Sequence, residues 1–454
     1  MFSVVTIALY CVTLAVLLSY FLSKYKIRRY IVSPYNFNLF RYSFCLFIMP
    51  FIFTYDRAWY AVGFRQAEIM KDYLNQCMQV NLIGFTVVLL SLRFFELRYN
   101  QADKLVAYIK KMSVPLSNLV LHTAWWALTA IWYWIVFRYN KGLPLLNGGR
   151  SFFYRTAISP IYQGIGLILS VYASYYALRF VYFRKDLLCL LITLATMLFT
   201  ANRGPLISAI GVTVIFYFYH SIQREQSIRY RNLIRQKKQN KMLSAKIDFG
   251  GKYLFRFFFL FLLLGISVLL LGVARSRRGH VTISRMVSEM LFGNTFSDIR
   301  DGAVILRGYY KKFHGVLLWG KTYLADLLAF IPSRLSPFRS EWSWGRLTAY
   351  TLFGYETHFG MRGGNSMEAY LNFGLAGVVM ASVVEGYCQA LMERIFYFHF
   401  ISQRSDVSGK EPFALSFFPV ILSFSINSQV IASIYPQFLF FLVAIFYSTL
   451  LRKK

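Results

Sequence analysis

The sequence predicts an all-α polytopic integral membrane protein with about eleven transmembrane helices and one large extracytoplasmic loop. Three observations lead to this fold class. The 454-residue chain is 57% hydrophobic and only 15% charged, against roughly 25% charged residues in an average soluble domain. Apolar runs of about twenty residues, the length that crosses a bilayer, recur along the chain. One long polar stretch, Arg275–Tyr370, interrupts them.

The apolar runs place the eleven predicted spans in order along the chain. Their ranges are 3–23, 36–55, 80–97, 117–138, 159–180, 186–201, 205–221, 254–274, 371–393, 413–429 and 436–451. The first run has no cationic leader and no small-residue cleavage site, so we expect a retained helix rather than a signal peptide. The sixth and seventh spans meet at a turn made by Gly204 and Pro205, which break the helix.

Positive charge predicts the orientation of these spans. Clusters of Lys and Arg follow the first, third, fifth, seventh and ninth spans, and the chain ends with Arg452, Lys453 and Lys454. All six clusters lie in the cytoplasm if the N-terminus is outside. The chain then divides into eight spans with a basic cytoplasmic segment at 222–252 (1–274), a large extracytoplasmic loop (275–370) and three further spans (371–454).

The charge balance bears on the class of partner. The formal net charge is +31, from 50 Lys and Arg against 19 Asp and Glu. Much of this excess lies in short connecting loops, where it fixes topology and meets anionic lipid, so we expect membrane lipids and no nucleic acid as partners. The outer loop is also basic, with thirteen Lys and Arg against seven Asp and Glu. Loops longer than roughly 60 residues cross regardless of charge, so topology does not explain that excess.

Cofactor and metal signatures are missing from the sequence. The five cysteines are scattered without metal-ligand spacing, so no disulfide framework or zinc site is predicted. The chain also lacks a DxD pair, HExxH and GxSxG. We therefore expect no cofactor and no metal. Activity on the outer face needs a donor that is already activated there, and a polyprenyl-diphosphate-linked sugar fits, because arginines stabilise its leaving group.

Several arginines are candidates for binding such a diphosphate. Arg203 stands at the proline–glycine turn at the outer membrane edge, where a guanidinium is costly unless it faces a cavity or partner. Arg275, Arg277 and Arg278 follow the eighth span directly. A guanidinium suits bidentate phosphate contact. The alternative for both places is an interfacial anchor, with the side chain snorkelling to the headgroups.

The remaining candidates lie farther along the outer loop. Asp298 and Arg300 precede an apolar stretch, and a structural pair between them is the alternative to a catalytic role. His358, Arg362 and Glu368 fall within eleven residues among several glycines. Histidine and carboxylates are the usual general bases, and Arg362 would orient substrate. Structural alternatives are a packed histidine for His358 and a helix N-terminal charge for Glu368.

The order of several short motifs resembles that of the Wzy-type bacterial polysaccharide polymerases, the group of O-antigen and enterobacterial-common-antigen polymerases. The matching pieces are NKGLPLLNGGR at 140–150, TANRGP at 200–205, NTFS at 294–297, FIPS at 330–333 and EAYLNFGLAG at 368–377. The first of them adds Arg150 to the substrate-binding candidates. No single invariant catalytic base follows from the pattern.

The resemblance implies a metal-independent, GT-C-like glycosyltransferase. It would move a growing glycan from one undecaprenyl diphosphate onto another lipid-linked repeat unit, at the periplasmic face of the bacterial inner membrane. The resemblance also suggests a chain-length-regulating partner protein. The alternatives are an O-antigen ligase, which passes glycan to lipid A–core, a lipid-linked oligosaccharide flippase or other transporter, and a scaffold protein.

Overall fold

A computed structural model describes residues 2–28, 37–60, 63, 66–98, 118–140, 143, 159–183, 186–199, 297–331, 335–354, 361, 363–396 and 428–453. These residues form helices and turns, with no strand among them. Among the described residues, five helices are long and apolar enough to cross a membrane, namely Val4–Ser23, Glu68–Glu96, Asn118–Tyr139, Ile161–Phe180 and Ser366–Glu393. The prediction of an all-helical chain with several long apolar helices, as in a multi-pass membrane protein, is confirmed for the described residues.

The described helices follow the predicted spans closely. They are α1 (Val4–Arg28), α2 (Phe37–Phe47), α3 (Met49–Ile52), α4 (Lys71–Arg98), α5 (Asn118–Asn140), α6 (Ser159–Phe183), α7 (Leu187–Phe199), α8 (Asp298–Phe313), α9 (Lys321–Leu327), α10 (Pro337–Trp342), α11 (Trp344–Arg346), α12 (Asn365–Phe396) and α13 (Ser428–Lys453). Short 3₁₀ turns cover Asp56–Ala58, Glu68–Met70 and Leu328–Phe330, and a π-helical turn covers Leu347–Thr351. The predicted spans at 205–221 and 254–274 lie outside the described residues, and so does the span at 413–429 except for residues 428 and 429.

Two hydrophobic cores organise the described helices. The first core is built from α1, α2, α3, α4, α8 and α12, together with apolar residues of 342–353 and Met361. The second core joins α5, α6, α7 and α13. The two groups meet where the Tyr435 hydroxyl donates to the carbonyl of Leu327 at 2.6 Å. Much of the described part of 275–370, the segment predicted to be the outer loop and called the outer segment below, therefore packs with the long apolar helices instead of forming a separate domain.

Helix α12 is two arms that fold back on each other at Gly374. Gly374 has φ 65° and ψ −156°, which is not helical. A Cβ at Gly377 would stand 2.6 Å from the carbonyl oxygen of Ala369, although eight residues of straight helix span about 12 Å. The side chains of Ser366 and Ser382 both reach the same residue of α4, Gly84. Residues 365–373 therefore form a short arm that runs beside α4, and residues 375–396 form the long arm.

The reversal predicts that cysteines at Ser366 and Ser382 can be cross-linked within one chain. Both hydroxyl oxygens lie within 3.2 Å of the point where a Cβ of Gly84 would stand. In a straight helix the two positions would be about 24 Å apart. After treatment with an oxidant, we expect the Ser366→Cys/Ser382→Cys double variant to lose two maleimide-reactive thiols relative to the same protein before oxidation, whereas each single variant keeps its one added thiol. Retention of both thiols would contradict the reversal.

The long arm of α12 packs against α4 through glycine. A Cβ at Gly386 would stand 2.7 Å from the carbonyl oxygen of Val88 and 2.9 Å from the amide nitrogen of Leu92. These atoms belong to the backbone and cannot move aside independently of their helix. The absence of a side chain at Gly386 is thus what allows the two helices to approach closely.

Replacing Gly386 with alanine is therefore expected to lower the free energy of unfolding by about 1–3 kcal/mol, the usual cost of overpacking. Thermal denaturation of the purified protein in detergent measures the effect. Gly166→Ala is the matched control, because nothing lies within 4 Å of a Cβ at that helical position. Alanine should leave the melting temperature there unchanged or slightly raised. Equal melting temperatures for the two variants would refute the close approach.

Candidate active site

The candidate site lies where α8 and the short arm of α12 pack against the N-terminal half of α4. Glycines allow the three elements to approach closely. A Cβ at Gly302 would stand 2.6 Å from Cys77 Sγ and 3.0 Å from the carbonyl oxygen of Gly363. Gly364 has φ 77°, and a Cβ there would stand 2.5 Å from Asn81 Oδ1. Positive φ and close contact both favour glycine at position 364.

A buried charge cluster occupies the first turn of α8. The Arg300 side chain is completely buried, and its Nη2 lies 3.1 Å from Asp301 Oδ1. The Arg300 Nε atom donates to the same oxygen, and Nη1 donates to the carbonyl of Ala58 at 3.1 Å. The Ser297 hydroxyl donates to Asp301 Oδ2 at 2.8 Å. Arg300 therefore ties α8 to the 3₁₀ turn at Asp56–Ala58.

The same cluster contains the predicted candidate Asp298. Asp298 is only 3% exposed. Burial raises the pKa of the neighbouring Asp301 above its ordinary value, the charge of Asp298 adds to that rise, and Arg300 and Ser297 act in the opposite direction. Two carboxylates and one guanidinium thus lie close together where α8 packs on α4.

Side-chain amides on α4 support this cluster. The Tyr42 hydroxyl donates to Asn81 Oδ1, and Asn81 Nδ2 donates to the carbonyl of Cys77 at 2.8 Å. The Cys77 thiol in turn donates to the carbonyl of Ile299 at 3.3 Å. A chain of polar contacts thereby joins α2, α4 and α8. We did not predict these residues from the sequence, although four amide side chains within 75–81 of an apolar helix were the available signal.

Glu368 belongs to a second buried polar group, on the short arm of α12. Its Oε1 accepts a hydrogen bond from the Thr322 hydroxyl at 2.7 Å, and Glu368 is 4% exposed. Asn372 Nδ2 donates to Thr322 Oγ1 at 2.7 Å and to the carbonyl of Glu368 at 2.8 Å. Burial and the charge of Glu368 raise the pKa of nearby Tyr323 well above its ordinary value. The carboxylate is therefore held in one orientation by Thr322.

The segment before α9 braces this arm near the reversal. The amide of Leu318 donates to the carbonyl of Leu371, and the amide of Trp319 donates to the carbonyl of Asn372, both at 3.0 Å. Gly320, with φ 79°, lies against the Phe373 ring. Carbonyls near the break at Gly374 thus find partners in the outer segment, as buried backbone groups require.

A half-buried group of polar and aromatic side chains lies nearer the N-terminus of α4. Gln76 Nε2 donates to the hydroxyls of Tyr310 and Tyr370 at 2.7 and 2.9 Å. The ring of Tyr73 packs beside that of Tyr310, with their centroids 6.4 Å apart. Amides and aromatic rings of this kind are suited to holding a ligand that has both hydroxyls and apolar faces.

The structure describes three of the ten predicted site residues. Asp298 and Arg300 share the first turn of α8, and Glu368 lies on the short arm that follows the glycine contact between Gly302 and Gly363. These three belong to neighbouring parts of one packed region. The other predicted residues fall outside the described part of the chain: Arg150, Arg203, Arg275, Arg277, Arg278, His358 and Arg362. Their roles stay predictions.

One further cluster has the residue types that bind metal ions. Ligating atoms of His122, Asp186 and Cys189 lie within 4.8 Å of one another. Arg179 Nε lies 2.5 Å from Asp186 Oδ2, so a guanidinium already neutralises this carboxylate. The His122 ring also lies 3.1 Å from the Tyr176 hydroxyl through Nδ1. This arrangement favours a structural ion pair that joins α5, α6 and α7 over a cation site.

Comparison of the chain with protein-family models, with curated proteins and with solved structures finds no match.

Proposed function

We propose that this protein is a membrane glycosyltransferase that polymerises undecaprenyl-diphosphate-linked oligosaccharide repeat units at the periplasmic face of the bacterial inner membrane. In this proposal the chain has about eleven spans in a GT-C-like arrangement. The supporting observation is that the described outer segment shares its core with long apolar helices and buries Asp298, Arg300 and Glu368 there. An enzyme that acts on lipid-anchored sugars needs its reactive groups at that level, because the scissile bond stays near the membrane surface.

The proposed reaction is a glycosyl transfer with a diphosphate leaving group. A hydroxyl of the acceptor repeat unit attacks the anomeric carbon of the donor sugar, whose bond to the diphosphate oxygen breaks. A general base takes the hydroxyl proton, and undecaprenyl diphosphate leaves with the bonding electrons. Positioned arginines stabilise the negative charge that develops on the leaving oxygen. No metal enters this scheme.

Glu368 is our first candidate for the base among the described residues. Its carboxylate accepts a hydrogen bond from Thr322, and carboxylate oxygens are the acceptors that a general base offers to a substrate hydroxyl. Because Glu368 is covered by the segment around Thr322, substrate access requires that segment to move. Asp298 and His358 stay the rivals for this role.

The arginines have separate proposed roles. Arg203, Arg275, Arg277, Arg278 and Arg150 bind the diphosphates or the sugars, and Arg362 orients substrate. Arg300 was predicted to bind a diphosphate, but its guanidinium contacts Asp301 and Ala58. We propose that Arg300 acts chiefly as a positioning residue that fixes the start of α8.

Deleting the gene tests the proposal in cells and separates the rivals. Loss of a polymerase should leave surface glycan with single repeat units, and the wild-type gene should restore long chains. Loss of a ligase should leave lipid A–core without attached glycan, while polymer accumulates on undecaprenyl diphosphate. An unchanged glycan length profile would refute the polymerase. Glycan gels and lipid extracts of the same cells provide both readouts.

A transporter is the second candidate, because one observation favours it. The reversal at Gly374 interrupts an apolar helix next to buried polar side chains, and Asn372 Oδ1 is buried without a hydrogen-bond partner. Broken helices with polar groups at membrane depth are common in secondary transporters. In the deletion strain, accumulation of lipid-linked single units on the cytoplasmic face would support a flippase over a polymerase.

A further inference from the structure

The described residues 319–331 and 335 present apolar side chains outward, although they lie in a stretch that the sequence predicts to be a hydrophilic loop. Trp319 is 73% exposed, Phe330 is 64% exposed and Leu335 is 75% exposed. Leu324 and Leu327 are exposed as well. In water such a run of large apolar residues would be unfavourable, and exposed apolar patches usually mark a binding surface.

The exposed residues of this segment form one stripe. In α9 and the 3₁₀ turn that follows it, positions 321, 324, 327 and 330 are exposed, whereas Thr322, Ala325 and Asp326 are buried. A spacing of three residues places the exposed positions along one side of a helix. The helix thus buries Thr322 and Asp326 against the protein and turns most of its large apolar groups, together with Lys321 at its first position, away from it.

Contacts with the spanning helices fix the depth of this segment. Leu318 and Trp319 donate backbone hydrogen bonds to residues 371 and 372 beside the reversal in α12. The Phe330 ring packs edge to face on Tyr435 of α13, with centroids 5.7 Å apart. The long arm of α12 and helix α13 themselves expose large apolar side chains, including Leu375, Met380 and Leu439. The stripe is therefore continuous with the apolar surface of the spanning helices.

Aromatic and cationic side chains border the stripe. Lys321 Nζ lies 4.3 Å from the centroid of the Trp342 ring, and the Arg346 guanidinium lies 4.4 Å from the Tyr350 ring centroid. Tyrosine, tryptophan, lysine and arginine are enriched where hydrocarbon meets headgroups. Apolar side chains with aromatic and cationic side chains beside them match one membrane leaflet, in which acyl chains are followed by headgroups.

We propose that residues 319–331 form an interfacial element inserted into the outer leaflet of the bilayer, with Leu324, Leu327 and Phe330 in contact with lipid acyl chains. The element is an amphipathic helix that lies on the membrane and does not cross it. Its partner is the lipid surface. The inference does not depend on the proposed enzymatic activity, because it rests on exposure and on contacts with the spans.

Nitroxide labels at single cysteines test this placement. Leu324→Cys and Leu327→Cys are made in the full-length chain with Cys11→Ser and Cys189→Ser, and the protein is reconstituted in vesicles of phosphatidylethanolamine and phosphatidylglycerol. Labels at positions that face lipid should collide more often with oxygen, which dissolves in the bilayer, than with a water-soluble nickel chelate. Lys311→Cys is the matched control, because position 311 is exposed on α8 at the predicted aqueous side. Its label should collide more with the nickel chelate.

The outcomes separate the proposal from its rivals. Equal nickel accessibility at positions 324, 327 and 311 would overturn it and place the stripe in water. A second copy of the chain on the stripe would instead give immobile labels that neither oxygen nor the nickel chelate reaches. Their spectra would show dipolar broadening that disappears on dilution with unlabelled protein, and this result would overturn the proposal. Circular dichroism and melting temperature equal to those of the parent protein confirm that each labelled variant is folded.

Discussion

Replacing Arg300 with methionine is expected to lower the free energy of unfolding by about 3–5 kcal/mol, as happens when one partner of a buried ion pair is removed. The Arg300 side chain is fully buried and contacts Asp301 and the carbonyl of Ala58. Methionine keeps most of the apolar volume, so the loss comes mainly from the carboxylates left behind. Thermal denaturation in detergent measures the loss.

A double variant distinguishes this cause from a simple packing defect. Arg300→Met combined with Asp301→Asn removes both charges, while the asparagine side chain can still accept from Ser297. We expect the double variant to melt above the Arg300→Met single variant. Lys311→Met is the control on the same helix, because Lys311 is exposed and its substitution should leave the melting temperature nearly unchanged. A stable Arg300→Met protein with the same melting temperature as wild type would contradict the account of α8.

Replacing Glu368 with glutamine is expected to reduce polymer synthesis by about 10²–10⁴-fold, the usual contribution of a general base. Glutamine has nearly the same shape, and its amide oxygen can still accept the hydrogen bond from Thr322. The fold should therefore persist while the basic group is lost. The measurements are polymer formed per unit of purified protein and the melting temperature of the same sample.

The control for Glu368 is Glu341→Gln, an exposed glutamate in the same outer segment, which should keep full activity. If Glu368→Gln retains wild-type activity, Glu368 is not the base. Asp298→Asn and His358→Ala then identify which rival is responsible. A Glu368→Gln protein that loses activity and also melts far below wild type would instead indicate a structural role.

Hydrophobicity was sufficient to locate most of the described helices. Eight of the eleven predicted spans fall on helices of the structure, because roughly twenty apolar residues have few other stable arrangements. The beginning of α4 was misplaced: the spans predicted a start at position 80, whereas the helix begins at Lys71. Residues 75–81 contain four side-chain amides, which lower the hydropathy there. Partners such as Tyr310, Tyr370 and Tyr42 satisfy several of them inside the protein.

The reversal of α12 could not be predicted from the sequence. The run LNFGLAGVV around Gly374 has the composition of one continuous helix. Only the positive φ of Gly374 and the close approach of Gly377 to Ala369 establish the fold-back. A single glycine in an apolar helix is usually tolerated without a break. The deciding interactions come from Leu318 and Trp319, more than fifty residues earlier in the chain.

One contact of the buried charges was not predicted. The sequence suggests a structural pair between Asp298 and Arg300, which stays a prediction, and the structure shows a salt bridge between Arg300 and Asp301, the next residue. Adjacent helical residues do not normally face each other. This pair forms because Asp301 Oδ1 lies within reach of both Nε and Nη2 of Arg300. Such a contact depends on tertiary packing against Ala58, which sequence spacing does not reveal.

The most direct test of the proposed function is incubation of the purified, reconstituted protein with lipid-linked repeat units alone. The substrate is the lipid extract of a strain that lacks this gene. The account predicts a ladder of products that differ by one repeat unit, formed without added metal or nucleotide and abolished by Glu368→Gln. Recovery of only the starting lipid-linked unit, with protein that is folded and reconstituted, would contradict it.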